Sequence, residues 1–128
     1  MIDKIPVALL TISIDPDLAK PAVLSPGDAY DRQLKYAGIL AEYYAITYIK
    51  QASADSAPIQ VTDNFTVYPL HAQNLLWFVR AAVDFGSHLC RTKKIDAIST
   101  QDPFFTALIG YRLKKKFGLP LSIQSVAD

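Results

Sequence analysis

The sequence predicts a doubly wound α/β fold, a mainly parallel sheet of about five strands between helical layers, in one domain spanning residues 1–128. Apolar runs such as 7–14 (VALLTISI) are too short for globular helices and suit strands that are covered on both faces. Amphipathic segments with helical spacing alternate with these runs, which is typical of βαβ units. A hydrophobic fraction of 51% in 128 residues is enough for one core.

In the first half of the chain, Asp15-Pro16-Asp17 ends the first strand and begins a long loop. Asp28 has the character of a helix N-cap, and the helix is expected to run to about Tyr43. The second strand is expected over 45–49 (AITYI).

The middle of the chain allows two interpretations. Residues 59–61 and 65–68 both alternate apolar and polar side chains, and the turn formers 62–64 separate them. The two pieces form either a small hairpin or a single third strand with a neighbouring loop.

The second half of the chain predicts two helices and two strands. In chain order they are a helix over 71–92, a strand over 95–99, a helix over 104–117 and a strand over 121–126. Gly86 lowers helix propensity by about 1 kcal/mol relative to alanine, so a local break there is one alternative. Trp77 and the aromatic residues near it are expected in the core.

The last predicted strand, 121–126, should be internal to its sheet. We therefore expect the chain to be part of a larger protein.

Charge and cysteine content exclude several classes of function. The net charge of +1 provides no basic footprint for nucleic acid. His71 and His88 lack Cys, Asp or Glu at metal-ligand spacing, so no metal is expected. The single Cys90 cannot form an internal disulfide, which favours a reducing, cytoplasmic location, with contact at a membrane surface left open.

In open α/β sheets, ligands bind beyond the carboxyl ends of the strands, where the strand order reverses. The first junction that this rule selects contains Gly27, Asp28 and Arg32. Their place at the start of a helix suits a phosphate, because the helix N-terminus offers free N–H groups. The alternatives are that Asp28 is a simple N-cap and that Arg32 pairs with it.

The other two junctions follow later strands. Gln101 and Asp102 follow the strand at 95–99, and Asp102 either lines a site or caps the next helix. Asp128 follows the last strand. No catalytic residue can be singled out from the residue order, since neither a Gly-x-Ser-x-Gly nor a Ser-His-Asp pattern can be recognised.

The segment Ile98-Ser99-Thr100-Gln101-Asp102-Pro103, the helix after it and Gly118-Leu119-Pro120-Leu121-Ser122-Ile123-Gln124 resemble the N-terminal domain of group 1 (family 4) glycosyltransferases. The helix with Asp31-Arg32, Tyr36-Ala37 and Leu40-Ala41 is similar to that family's first helix. The chain departs from the family pattern at Pro26-Gly27-Asp28, where a Gly-Gly pair is common, and at Val126, where a histidine is common.

The resemblance implies a Rossmann-like, three-layer αβα domain that forms the acceptor-side half of a two-domain GT-B enzyme. That enzyme would transfer a hexosyl group from a nucleotide-sugar, without a metal, to a sugar or lipid acceptor. Gly27, Asp28 and Arg32 would lie near the donor phosphates or the acceptor, and Gln101, Asp102 and Asp128 would line the acceptor side.

The resemblance also implies that a C-terminal domain carries most of the donor site, so the isolated chain is not expected to be active. Two alternatives remain: a standalone flavodoxin-like or receiver-like signalling domain, and another nucleotide-binding Rossmann-like domain.

Overall fold

The structure is a computed structural model, and it describes residues 5–14, 35, 37–49, 58–102 and 104–123. The described elements, in chain order, are β1 (Ile5–Ser13), β2 (Leu40–Ile49), β3 (Ile59–Thr62), β4 (Phe65–His71), α1 (Leu75–Thr92), β5 (Ala97–Thr100), α2 (Phe105–Phe117) and β6 (Leu121–Ile123).

The six strands form one sheet in the order β3-β4-β2-β1-β5-β6. Every neighbouring pair is parallel except β3 and β4, which are antiparallel. The five parallel strands, counted along the chain, therefore have the order 3-2-1-4-5, which is the Rossmann order. The expectation of a mainly parallel α/β sheet of about five strands is confirmed.

The two faces of the sheet are covered separately. On one face, α1 and α2 bury a cluster that includes Leu10, Phe78 and Leu113. On the other face, Ala37 packs with Tyr43 and Phe65. Lys35 and residues 37–39 have helical conformation, so helical residues contribute to this second layer of packing as well.

The boundary between the first predicted helix and the second strand was wrong. β2 begins at Leu40, within the stretch expected to be helical, and Tyr43 pairs with Leu9 of β1 and with Phe65 of β4. The apolar residues at 40 and 43 fit the spacing of a helix, but pairing with strands on both sides decides the conformation.

The two interpretations of the middle of the chain are both correct in part. β3 and β4 form the hairpin, and β4 is also the third parallel strand because it pairs with β2. Asn64 holds the turn to the start of β2, where its Nδ2 donates to the carbonyl oxygens of Ala37 and Leu40 at 2.6 and 2.8 Å.

The long predicted helix begins four residues later than expected, because His71 ends β4 by pairing with Ile49. Asn74 caps α1 and accepts a hydrogen bond of 3.0 Å from the backbone N–H of Trp77. The prediction that Trp77 lies in the core is wrong, since 54% of its surface is exposed.

Two glycines allow α2 to pack closely. α1 continues through Gly86 without a break, and a Cβ there would lie 2.8 Å from Cδ1 of Leu113. A Cβ on Gly110 would lie 2.6 Å from Cγ2 of Thr100 and 2.7 Å from Cδ1 of Leu121. The absence of these two Cβ atoms lets α2 approach both α1 and the sheet.

The chain leaves α2 at Gly118, whose φ of 69° is in the left-handed region that glycine adopts without strain. The prediction that the helix ends at Phe117, before Gly118, is confirmed. The chain then enters β6, which lies at the edge of the described sheet. Residues 124–126 of the last predicted strand lie outside the described residues.

Candidate functional site

The strand order reverses between β1 and β5, because the chain adds β2 on one side of β1 and β5 on the other. The carboxyl ends of these two strands, at Ser13 and Thr100, are neighbours in the sheet, since Ile12 pairs with Thr100. In this fold class such a switch point opens the crevice in which ligands bind. The candidate site is therefore the carboxyl edge of the sheet around β1 and β5.

Gln101 lies at this switch point, as the fold rule predicts. Its backbone N–H donates to the carbonyl oxygen of Ile12 at 3.0 Å, which extends the contact between β5 and β1 by one residue. Its side-chain Nε2 donates to Oγ1 of buried Thr11, also at 3.0 Å. The side chain is half-buried, so it is held in place at the crevice without being sealed in the core.

Asp102 follows directly, and its carboxylate caps α2. Oδ1 accepts hydrogen bonds from the backbone N–H groups of Phe104 and Phe105 at 2.7 and 3.0 Å. Oδ2 accepts from the backbone N–H of Thr106 at 3.1 Å. The carboxylate therefore occupies the N–H groups of the residue before α2 and of its first two residues, which a bound anion would otherwise contact.

A set of four buried hydroxyls lies near the same edge on the face opposite α1 and α2. In the sheet, Thr11 pairs with Ser99, and Ser13 pairs with Thr47. Thr11 and Ser13 share one face because side chains alternate along a strand. Each of the four is at most 4% exposed. These four residues are not among the predicted site residues, although a hydroxyl residue at alternate positions of an otherwise apolar strand is a visible signal in the sequence.

Two buried hydroxyls beside the switch point have no hydrogen-bond partner among the described residues: Oγ of Ser99 and Oγ1 of Thr100. They are consecutive in β5 and point to opposite faces, with Thr100 directed towards Gly110 of α2. An unsatisfied buried hydroxyl costs about 1–3 kcal/mol. The end of β5 therefore carries a stability cost at the position where a ligand site is expected.

The other predicted site residues, Gly27, Asp28, Arg32 and Asp128, lie outside the described residues. Of the predicted set, the structure brings Gln101 and Asp102 to the switch point. The substrate-binding role of all six residues stays a prediction.

Nucleophile and metal chemistry find little support among the residues that the structure describes. Burial raises the pKa of the half-buried Cys90 thiol to about 11, an effect that the nearby Arg91 partly opposes. Within the described part of the chain, no three His, Cys, Asp or Glu side chains are grouped as a metal ion would need.

A tyrosine pair packs between the sheet and α1, away from the switch point. The Tyr44 hydroxyl donates to Oε2 of Glu42, and burial, followed by this hydrogen bond, raises the Tyr44 pKa. Burial and the Glu42 charge also raise the pKa of Tyr68. Phe85 of α1 packs edge-on against Tyr68, with ring centroids 4.9 Å apart. These shifts follow from core packing, so they do not indicate a catalytic acid or base.

The sheet order and the switch point together define a Rossmann-like α/β domain. No protein-family model matches the chain, and no curated protein matches it significantly. Neither helix of the described residues is long and apolar enough to cross a membrane.

Two similar solved structures are crystal structures of the C-terminal domain of a hydrogenase from Pyrococcus furiosus. The first has a TM-score of 0.58 and 11% identity, and the match covers 95% of this chain and 93% of that one. The second has a TM-score of 0.60 and 12% identity, with coverages of 97% and 95%. At this level of identity the likeness supports the fold alone.

Proposed function

We propose that the chain is the N-terminal, acceptor-binding domain of a retaining, nucleotide-sugar-dependent glycosyltransferase that transfers a hexosyl group. The proposal rests on the segment from Ile98 to Ile123, which resembles the family 4 enzymes and which folds as β5, α2 and β6 beside the switch point. The resemblance and the fold rule thus select the same edge of the sheet, and both include Gln101 and Asp102.

In this proposal, Gln101 contacts a hydroxyl of the acceptor. A primary amide carries both a donor and an acceptor, and a sugar hydroxyl can use either. The hydrogen bond to Thr11 holds the amide, which lowers the entropy lost on binding. The Asp102 carboxylate is engaged with α2, so it shapes the turn that presents Gln101.

In this proposal, most of the donor site belongs to a C-terminal domain on the other side of a cleft. Gly27, Asp28 and Arg32 would approach the donor phosphates from the first junction, and Asp128 would line the acceptor side. A C-terminal domain would supply the rest of the nucleotide-sugar site. Transfer then requires both walls, because orientation and charge stabilisation depend on groups from each.

The flavodoxin-like or receiver-like alternative has a different strand order. Flavodoxin-like domains have the order 2-1-3-4-5, whereas the parallel strands here have the order 3-2-1-4-5. This observation favours the Rossmann-like proposals over the signalling domain.

The test uses the protein encoded by the complete reading frame that contains these residues. It is incubated with UDP- and GDP-linked hexoses and a panel of sugar and lipid acceptors, and release of the nucleoside diphosphate is measured. We expect acceptor-dependent release with one donor. We also expect that the 128-residue chain alone does not bind that donor in calorimetry.

The variant Gln101→Ala tests the proposed acceptor contact. Gln73→Ala, at an exposed position outside the switch point, is its control. The first variant should raise the acceptor KM with little change in the donor KM, while the control should match the parent. Absence of acceptor-dependent release with every donor, or equal donor binding by the 128-residue chain, would contradict the proposal.

A further inference from the structure

The outward faces of α1 and α2 expose large apolar side chains. Of the eight exposed large hydrophobic residues in the described part of the chain, five belong to these helices or to the residue just before α2. They are Leu76, Trp77, Phe104, Leu108 and Tyr111, with exposures of 73, 54, 76, 43 and 53%. We call these five residues the outer apolar patch. Such a concentration on two adjacent helices is unlike the single scattered residues of an ordinary surface.

Four of the five patch residues are linked across the two helices. Phe104, Leu108 and Tyr111 are separated by four and three residues, so they form one stripe along the outside of α2. Leu108 and Tyr111 line one shallow depression together with Arg112. Arg112 also lines a neighbouring depression, of about 400 Å³, together with Leu76 of α1. Trp77 follows Leu76 in the first turn of α1 and lines a separate depression with His71 and Ala81.

The charge of the protein is concentrated on these helices. α1 and α2 together contain six cations and one acid, a net charge of +5 (Arg80, Arg91, Arg112, Lys114, Lys115 and Lys116, with Asp84). The whole chain has a net charge of +1, so the remaining residues carry −4. Arg80, Arg112, Lys115 and Lys116 line the two depressions beside the patch, and Asp84 is the one acidic residue that lines them.

We propose that the outer apolar patch and the cations around it bind the surface of an anionic membrane. Apolar and aromatic side chains that enter the headgroup region, flanked by Lys and Arg, are the features of a surface-bound helix. Arg80, Arg112 and Lys115 are exposed beside the patch and can contact lipid phosphates. An orientation with these cations towards the headgroups brings them to the anionic leaflet that attracts them.

This orientation has a consequence for the candidate site. α1 follows β4 and α2 follows β5, so the first turns of both helices lie at the carboxyl edge of the sheet. Leu76, Trp77 and Phe104 lie in or just before those turns. A membrane that contacts these residues would therefore lie beside the edge that carries Gln101.

The test uses the 128-residue chain and vesicles of phosphatidylcholine with or without about one-third phosphatidylglycerol. Trp77 is the single tryptophan, so its fluorescence reports on the patch directly. We expect co-sedimentation with the anionic vesicles, a blue shift of the emission and protection from acrylamide. Binding should weaken when salt is raised to about 0.5 M, because salt screens the attraction.

Two sets of variants separate the patch from non-specific adsorption. Phe104→Ser with Leu108→Ser should abolish binding, whereas Ile5→Ser with Ile123→Ser, at exposed positions on strands, should not. Arg80→Gln, Arg112→Gln and Lys115→Gln together should weaken partitioning roughly 100-fold. Lys93→Gln with Lys94→Asn is the matched control, and asparagine tolerates the positive φ of residue 94.

Two outcomes would overturn the proposal. The first is equal affinity for neutral and anionic vesicles, or no binding to either. The second is self-association of the chain that Phe104→Ser with Leu108→Ser reverses, since the patch would then be an interface between two copies. Circular dichroism of every variant checks that the fold is intact.

Discussion

Asp102 and Thr106 bind each other across the first turn of α2. Oγ1 of Thr106 lies 2.7 Å from Oδ2 of Asp102 and accepts a 3.0 Å hydrogen bond from the Asp102 backbone N–H. The same hydroxyl lies 3.0 Å from the Asp102 carbonyl oxygen. A hydroxyl has one proton, and the carboxylate is the closer and stronger acceptor for it. The pair therefore fixes the turn between β5 and α2.

Asp102→Ala should lower the free energy of unfolding by about 1–2 kcal/mol, the usual cost of losing a helix cap. Urea denaturation followed by circular dichroism measures the change. Asp84→Ala removes an exposed carboxylate from the middle of α1 and is the control, with an expected effect within about 0.5 kcal/mol. Equal losses in the two variants would show that the cap contributes nothing specific.

Gly110→Ala should destabilise the protein by about 1–3 kcal/mol, since the added methyl group would overlap Thr100 and Leu121. Gly38→Ala is the matched control, because a Cβ at Gly38 meets no atom within 4 Å. Thermal melting of both variants compares the two sites. A Gly110→Ala protein as stable as the control would mean that α2 can move away from the sheet without cost.

Thr100→Val should leave stability unchanged or raise it by about 1 kcal/mol. It replaces a buried hydroxyl that has no partner among the described residues with a methyl group of similar size. Thr106→Val is the contrasting variant and should destabilise, since the Thr106 hydroxyl is bonded to Asp102. Denaturant unfolding of both proteins gives the comparison. A clear loss of stability in Thr100→Val would reveal a partner for that hydroxyl in solution.

The free energy of unfolding should fall as the pH rises from about 9 towards 11. Burial raises the pKa of Cys90 from 9.0 to about 11, so the folded protein favours the neutral thiol. This contribution is fully present below the pKa of the unfolded thiol and is lost as the pH rises through the pKa of the folded one.

Cys90→Ala should flatten this decline, although the raised pKa of Tyr44 will leave some pH dependence at the alkaline end. Urea unfolding of both proteins at a series of pH values measures the slopes. Parallel slopes would mean that the Cys90 thiol titrates alike in the folded and unfolded chains.

Local sequence signals were enough to predict the ends of elements that are bounded by turn-forming or helix-capping residues. The turn formers between β3 and β4 and the glycine after α2 were read correctly from the sequence. The start of β2 was not, because Leu40 and Tyr43 fit the apolar spacing of a helix as well as a strand. Only the pairing of β2 with β1 and β4, which are far away in the sequence, separates the two.

The role of Gly86 and the exposure of Trp77 needed tertiary information. Helix propensity treats Gly86 as a weakness, whereas the structure uses the missing Cβ for contact with Leu113. An aromatic residue in an apolar run is expected to be buried, but Trp77 is 54% exposed. For the site, the fold rule located Gln101 and Asp102, while the role of the Asp102 carboxylate depended on which N–H groups it reaches.

The two glycine contacts of α2 act in different directions, one towards α1 and one towards β5 and β6. A helix that is seated closely on two neighbours cannot roll or slide without separating from one of them. Small rotations of α2 are therefore an unsuitable means of adjusting the crevice to different ligands. Any such adjustment would have to come from the backbone segments that join the strands to the helices, while α2 and the sheet keep their positions.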